Sequence, residues 1–269
     1  MSNRHGGRPD TQQPTVRAGT HRRDVRVPGG LPRPTRGELA TIWSVPTLLL
    51  VVHFLVQPGF DAWVRFRYVR YSVAQTTPSH QLAPDPFTPY AWAWHEFTRV
   101  AHALVHAPGG YHSHVVGNVA LIVLTAWALL VTLTALGRRR WFVFCYWELV
   151  VVAPVVGSFA FDLFGTTATG YGASTVGFAF LGVVVVVSLV ALVDDCRRRV
   201  GERLGSGGPV RSDGGQAVRP SVVAGVFLLS VAVVAGDVLV ASPAMPVHQA
   251  GAGFGALVGV VVGPLTRRL

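Results

Sequence analysis

The sequence predicts an all-α fold, a polytopic membrane protein in which six apolar helices pack as a bundle. Three observations carry that prediction. Half of the 269 residues are hydrophobic and only 13% are charged, against roughly 25% in an ordinary soluble domain. Six apolar runs are long enough, or nearly so, to cross a hydrocarbon core of ~30 Å at ~1.5 Å per helical residue. Finally, the arginines crowd into alternate connections, as they do when a chain crosses a membrane repeatedly.

Residues 1–40 are rich in Arg, Gly, Pro and polar side chains and show no apolar periodicity. Such a segment cannot bury enough surface to offset its ordering, so a disordered tail is expected. The membrane domain occupies 41–265. Its first run, 42–57, is close to the lower limit for a span, with Pro46 near the start, where a proline is best tolerated. Some forty polar residues precede it, so it reads as a signal anchor rather than a cleavable signal.

The connection 58–99 interleaves Trp63, Phe66, Tyr68, Tyr71, Tyr90, Trp92, Trp94 and Phe97 with Arg65, Arg67, Arg70 and Arg99. Amphipathic rings and guanidinium groups are both at home at the headgroup level, so an interfacial loop is expected. The same mixture could stack on single-stranded nucleic acid, but apolar runs on either side argue against nucleic acid as a partner. Four plain runs follow, 113–136, 141–164, 174–193 and 221–241, and a sixth, 247–265, is studded with glycine.

Eight arginines lie in the tail, three at Arg138, Arg139 and Arg140, six in the loop 194–220 and two after the last run. By the positive-inside rule these segments are cytoplasmic, both termini among them, and 58–99 is extracytoplasmic in a cell membrane. The formal charge of +10 is then topology rather than a ligand site. Cys145 and Cys196 sit in no metal or redox spacing and read as free thiols. Glu148, in the third run, reads as paired or snorkelling toward the cytoplasmic end.

With that orientation, the second, fourth and sixth runs all enter from outside. His114 and Asn118 share a face, i and i+4, at the start of the second. Ser174 opens the fourth, within Gly170-Tyr171-Gly172-Ala173-Ser174-Thr175, and His248 opens the sixth. A serine at a helix start commonly just caps it. Ionisable groups at one membrane depth, however, usually face the bundle interior and mark a functional site.

Helix packing favours a meeting of the fourth and sixth runs. Gly251, Gly255, Gly259 and Gly263 repeat every four residues after His248, a small-residue stripe that lets another backbone approach closely. Gly182 shares the face of Ser174, with Gly177 close by. An imidazole within reach of a serine hydroxyl takes its proton as the serine attacks a carbonyl. His114, Asn118 and the backbone N–H of Ser174 are placed to donate to the resulting oxyanion. Asp237 is the nearest carboxylate by depth and reads as solvated or capping, so a two-residue Ser174/His248 unit is expected, with no cofactor or metal.

On these residues the chain resembles the rhomboid family of intramembrane serine proteases. The resemblance rests on His114-x-x-x-Asn118, Gly172-x-Ser174 and His248-x-x-Gly251-x-x-x-Gly255, each in the expected span, and covers about 41–265. It implies Ser174 as nucleophile, His248 as general base and then acid, and His114 with Asn118 as oxyanion donors. It implies as well an aromatic ring at Phe178 stacked on the catalytic histidine, a supporting role for His106, and a fifth span that moves as a lateral gate for transmembrane protein substrates.

Two features depart from the family pattern. Thr175 stands where a glycine usually follows the serine, and the Trp-Arg pair of the first loop is represented only by Glu96-Phe97-Thr98-Arg99. The departure at Thr175 keeps open a rhomboid-like protein that binds transmembrane segments without cutting them. A different reading is a metal site or transporter built on His102, His106, His112 and His114, since neutral imidazoles bind zinc. Nothing in the sequence fixes the oligomeric state.

Overall fold

Thr35 starts the first helix. Its hydroxyl accepts from the Glu38 backbone N–H at 3.2 Å while the Glu38 carboxylate accepts from the Thr35 N–H at 2.6 Å, a reciprocal capping box. In the computed structural model, residues 31–60, 70–71, 96–106, 112–164, 169–170, 172–204 and 218–263 are described. The tail up to residue 30, most of the aromatic and arginine-rich connection, and the centre of the loop 194–220 lie outside them.

Six helices in the described residues are long and apolar enough to cross a membrane. They are α1 (Arg36–Val51, continued by a π-helical turn, Val52–Val56), α2 (His112–Ala135), α3 (Phe142–Phe164), α4 (Ser174–Arg203), α5 (Pro220–Val240) and α6 (Met245–Val262). The chain is a polytopic helical membrane protein. The predicted starts and ends hold to within two residues except at three places. Because Thr35 and Glu38 cap it, α1 begins six residues before the apolar run; α4 runs ten residues past Val193; and α6 ends at Val262. Among the described residues two short strands accompany the helices: β1 (Arg70–Tyr71) pairs antiparallel with β2 (Thr169–Gly170), Arg70 opposite Gly170.

The core lies around α4, whose Val176, Ala179, Phe180, Val183, Val184 and Val187 are buried. Of its apolar window 61% is buried, against 11% for α5, the least covered span. At one end of the bundle the basic turn between α2 and α3 ties two other helices together. Arg139 donates to both Glu38 carboxylate oxygens, at 2.8 and 2.6 Å, and Arg138 donates to the Val262 carbonyl. The starts of α2, α4 and α6 lie at the opposite end.

α4 and α6 are in backbone contact along the predicted glycine stripe. A Cβ added at Gly251 would come within 2.5 Å of the Thr175 carbonyl oxygen; one at Gly255 would overlap the Ala179 carbonyl, and one at Gly182 the Ala252 carbonyl. Gly259 continues the seam against Val183 and Val186, and Gly263 lies against Val190. Only glycine permits this approach, and it sets the starts of both helices side by side.

Candidate active site

Gly172 turns the chain into α4. Its φ of +99° is open to glycine and strained for other residues, and its N–H donates to the His102 carbonyl at 2.9 Å. A side chain there would also meet the His114 ring, with Nε2 3.1 Å from the added Cβ and the Asn118 amide nitrogen at 3.6 Å. The glycine therefore brings the start of α4 against the two polar residues of α2.

Ser174 is the first residue of α4, and Ala173 occupies the cap position without any side-chain cap bond. The capping role open to Ser174 is thus not the one its hydroxyl performs. Among the described residues, no hydrogen bond engages Ser174 Oγ, and the side chain is half-buried. The first backbone bonds into the helix run from Val176 and Gly177 N–H to the Ala173 carbonyl. The N–H groups of Ser174 and Thr175 have no place in that ladder, as at any helix start.

One cavity of about 710 Å³ is lined by Ser174, His248, His114, Asn118, Thr175 and Phe178, among others. The hydroxyl and the imidazole share no hydrogen bond in this conformation but face the same space. The His248 ring lies flat on Phe178, with centroids 4.3 Å apart and planes 5° apart. His114 is exposed at the cavity, whereas Asn118 is buried and its amide nitrogen lies 3.1 Å from His106 Nε2. Since an amide NH₂ can only donate, His106 accepts at Nε2, which leaves the second amide hydrogen free.

Asp237 departs from its sequence reading. Rather than being solvated or capping, its Oδ1 sits 2.8 Å from His248 Nδ1 and its Oδ2 accepts from Gln249 Nε2 at 2.9 Å. The side chains of Asp237 and His248 are only 10% and 14% exposed. The reason is the hairpin: α5 and α6 are antiparallel, and residues equally far from a short turn lie level. Asp237 stands five residues before the centre of that turn and His248 about as far after it, a signal present in the spacing.

Thr175 is buried, and its side chain occupies a notch between two glycines. Its Cγ2 and Oγ1 lie 2.6 and 2.8 Å from where a Cβ of Gly157, on α3, would stand, and its Cγ2 is 3.0 Å from that of Gly251. The extra bulk relative to glycine is thus accommodated by two neighbours that have no side chain. Sequence reading did not find the part played by Gly157.

The Glu96-Phe97-Thr98-Arg99 stretch anchors the segment before α2. Arg99 donates to Glu96 at 2.5 Å, Asp162 at 2.9 Å and Ser158 at 3.1 Å, and its guanidinium lies 4.1 Å from the Phe159 ring centre. His102, His106 and His112 each meet a different hydrogen-bond partner, although the rings of His106 and His114 lie 5.6 Å apart. His112 Nδ1 is 3.0 Å from Nε2 of His53, in the π-helical turn after α1, His102 Nδ1 is 2.9 Å from the Thr98 carbonyl, and His106 serves Asn118. Among the described residues no three His, Cys, Asp or Glu are grouped to hold a metal. Cys145 is buried and Cys196 exposed, both free. Compared with known proteins, the chain matches no family model and no curated sequence.

Proposed function

We propose that this protein is a rhomboid-type intramembrane serine endopeptidase that hydrolyses peptide bonds in or near transmembrane segments of other membrane proteins. The observation that carries the reading is the shared cavity, to which three helices distant in sequence contribute Ser174, His248, His114 and Asn118.

In this mechanism Ser174 Oγ attacks the scissile carbonyl carbon as His248 Nε2 accepts its proton. The carbonyl oxygen becomes an oxyanion, stabilised by His114, the Asn118 amide and the Ser174 N–H. The C–N bond breaks as the imidazolium returns the proton to the leaving amine. Water then attacks the acyl-enzyme with His248 again as base, releasing the carboxylate product and restoring the hydroxyl. The arginine distribution supports cytoplasmic termini and a cavity opening on the extracytoplasmic side. The thin cover of α5 supports substrate entry from the bilayer beside it.

The test is cleavage of a single-span reporter by the protein in liposomes, with fluorophosphonate labelling in parallel. Wild type cleaves and is labelled, and Ser174→Ala and His248→Ala do neither. A folded wild type that binds the reporter yet is neither labelled nor active makes this a rhomboid-like binding protein and overturns the protease.

A further inference from the structure

We infer that Asp237 is a positioning residue for His248, so that the catalytic unit has three members, the third supplied by α5. The inference rests on the Ser174/His248 reading and adds to it a residue outside the two-residue unit.

An imidazole in a cavity has two rotational freedoms to lose before its reactive nitrogen points in one direction. Stacking on Phe178 fixes the plane of the ring. Rotation within that plane is fixed by the Nδ1 contact with Asp237. A carboxylate can only accept, so Nδ1 carries the hydrogen and Nε2, on the far edge of the ring, carries the lone pair a general base needs.

Asp237 is itself held. Gln249 Nε2 donates to its second oxygen, and the same nitrogen lies 3.5 Å from the Val234 carbonyl. Both carboxylate oxygens are therefore satisfied by consecutive residues of α6. Asp237 is also the only charged residue of α5, where an unpartnered carboxylate would be costly in an apolar surround. Among the described residues the group that meets its Oδ1 is the His248 imidazole. The pairing accounts for the carboxylate in that helix, and the charge is placed to stabilise the imidazolium as it forms.

Asp237→Asn tests this with little change of shape. The amide can turn its NH₂ toward Nδ1 and enforce the wrong tautomer, so kcat for reporter cleavage falls at least about tenfold while KM stays within about twofold. Contact between helices alone would instead move the melting temperature, with kcat preserved in the folded fraction. Should the variant not fold, ¹⁵N-histidine NMR of the wild type decides: His248 protonated at Nδ1 is expected, and protonation at Nε2 overturns the proposal. If Ser174→Ala and His248→Ala abolish cleavage while Asp237→Asn retains wild-type kcat, only the third member is lost. If His248→Ala remains active, the protease reading fails with it.

Discussion

Phe178 and His248 are parallel, their planes 5° apart and ring centres separated by 4.3 Å. Phe178 lies one turn after Ser174 on the same face of α4, so the helix that carries the hydroxyl also fixes the plane of the His248 ring. The partner helix α6 carries the imidazole, and the glycine seam holds the two helices at backbone contact. The approach of the two groups is thus set by one helix pair, while the direction of His248 Nδ1 is set from α5.

Removing the stack should act on rate rather than on substrate binding. Aromatic stacking contributes about 0.5–1.5 kcal/mol beyond area burial, which corresponds to a factor of roughly two to ten on a rate that needs that orientation. Phe178→Ala is expected to lower kcat by about that factor, and Phe178→Tyr to retain most of it. Cleavage of the reporter over a range of substrate concentrations checks this; an unchanged kcat in the alanine variant would mean that the ring does not position the histidine.

The seam makes a sharper claim, because its glycines are not equivalent. A methyl group at Gly255 collides with the Ala179 carbonyl, whereas at Gly253, two residues away, nothing lies within 4 Å. Gly255→Ala must separate α4 from α6 and should destabilise by about 1–3 kcal/mol, as overpacking does, with loss of cleavage. Gly253→Ala should be neutral or slightly stabilising, since alanine is the better helix former by up to about 1 kcal/mol. Thermal unfolding in detergent compares the two, and equal melting temperatures would remove the seam as the reason for the glycine stripe.

These glycines were legible in the sequence because a four-residue repeat is a property of one helix. The six apolar runs were legible for the same reason, and so was the placing of His114, Asn118, Ser174 and His248 at one end of the bundle. What escaped were relations between helices whose rotation the sequence does not specify. Asp237 could be placed by depth but not by the side it faces, and its carboxylate meets His248 only because α5 and α6 form a hairpin in that register. The helix start at Arg36 is not legible from apolarity, because Thr35 and Glu38 set it by hydrogen bonding.

His106 supplies a pH dependence whose sign can be worked out. Burial, with His114 and His53 close by, pushes its pKa from the ordinary 6.5 down to about 4. Between those values the unfolded chain binds a proton that the folded chain does not, so stability is full above pH 6.5 and declines as pH falls toward 4. Protonation would also end its role as acceptor for Asn118, since imidazolium nitrogens only donate. His106→Gln, which keeps an acceptor and does not titrate, should show a shallower fall in melting temperature across this window than wild type. Parallel slopes would rule out His106 as the source.

Thr175 adds bulk directly beside Ser174 in the lining of the candidate site, and its accommodation can be measured as a coupling. Its side chain is packed against Gly157 closely enough that a methyl there would overlap both Cγ2 and Oγ1. Gly157→Ala alone should therefore destabilise by about 1–3 kcal/mol and push Thr175 toward the cavity it lines, lowering cleavage. Thr175→Gly alone empties the notch and should be mildly destabilising. Combined, the two changes swap which side supplies the bulk, so the pair should be more stable than the sum of the single effects by at least about 1 kcal/mol, within the range found for residues in contact. A double-mutant cycle on unfolding, with reporter cleavage measured on all four proteins, tests this. Additive effects would mean that α3 can shift to accept either residue, and that the threonine needs no complementary glycine.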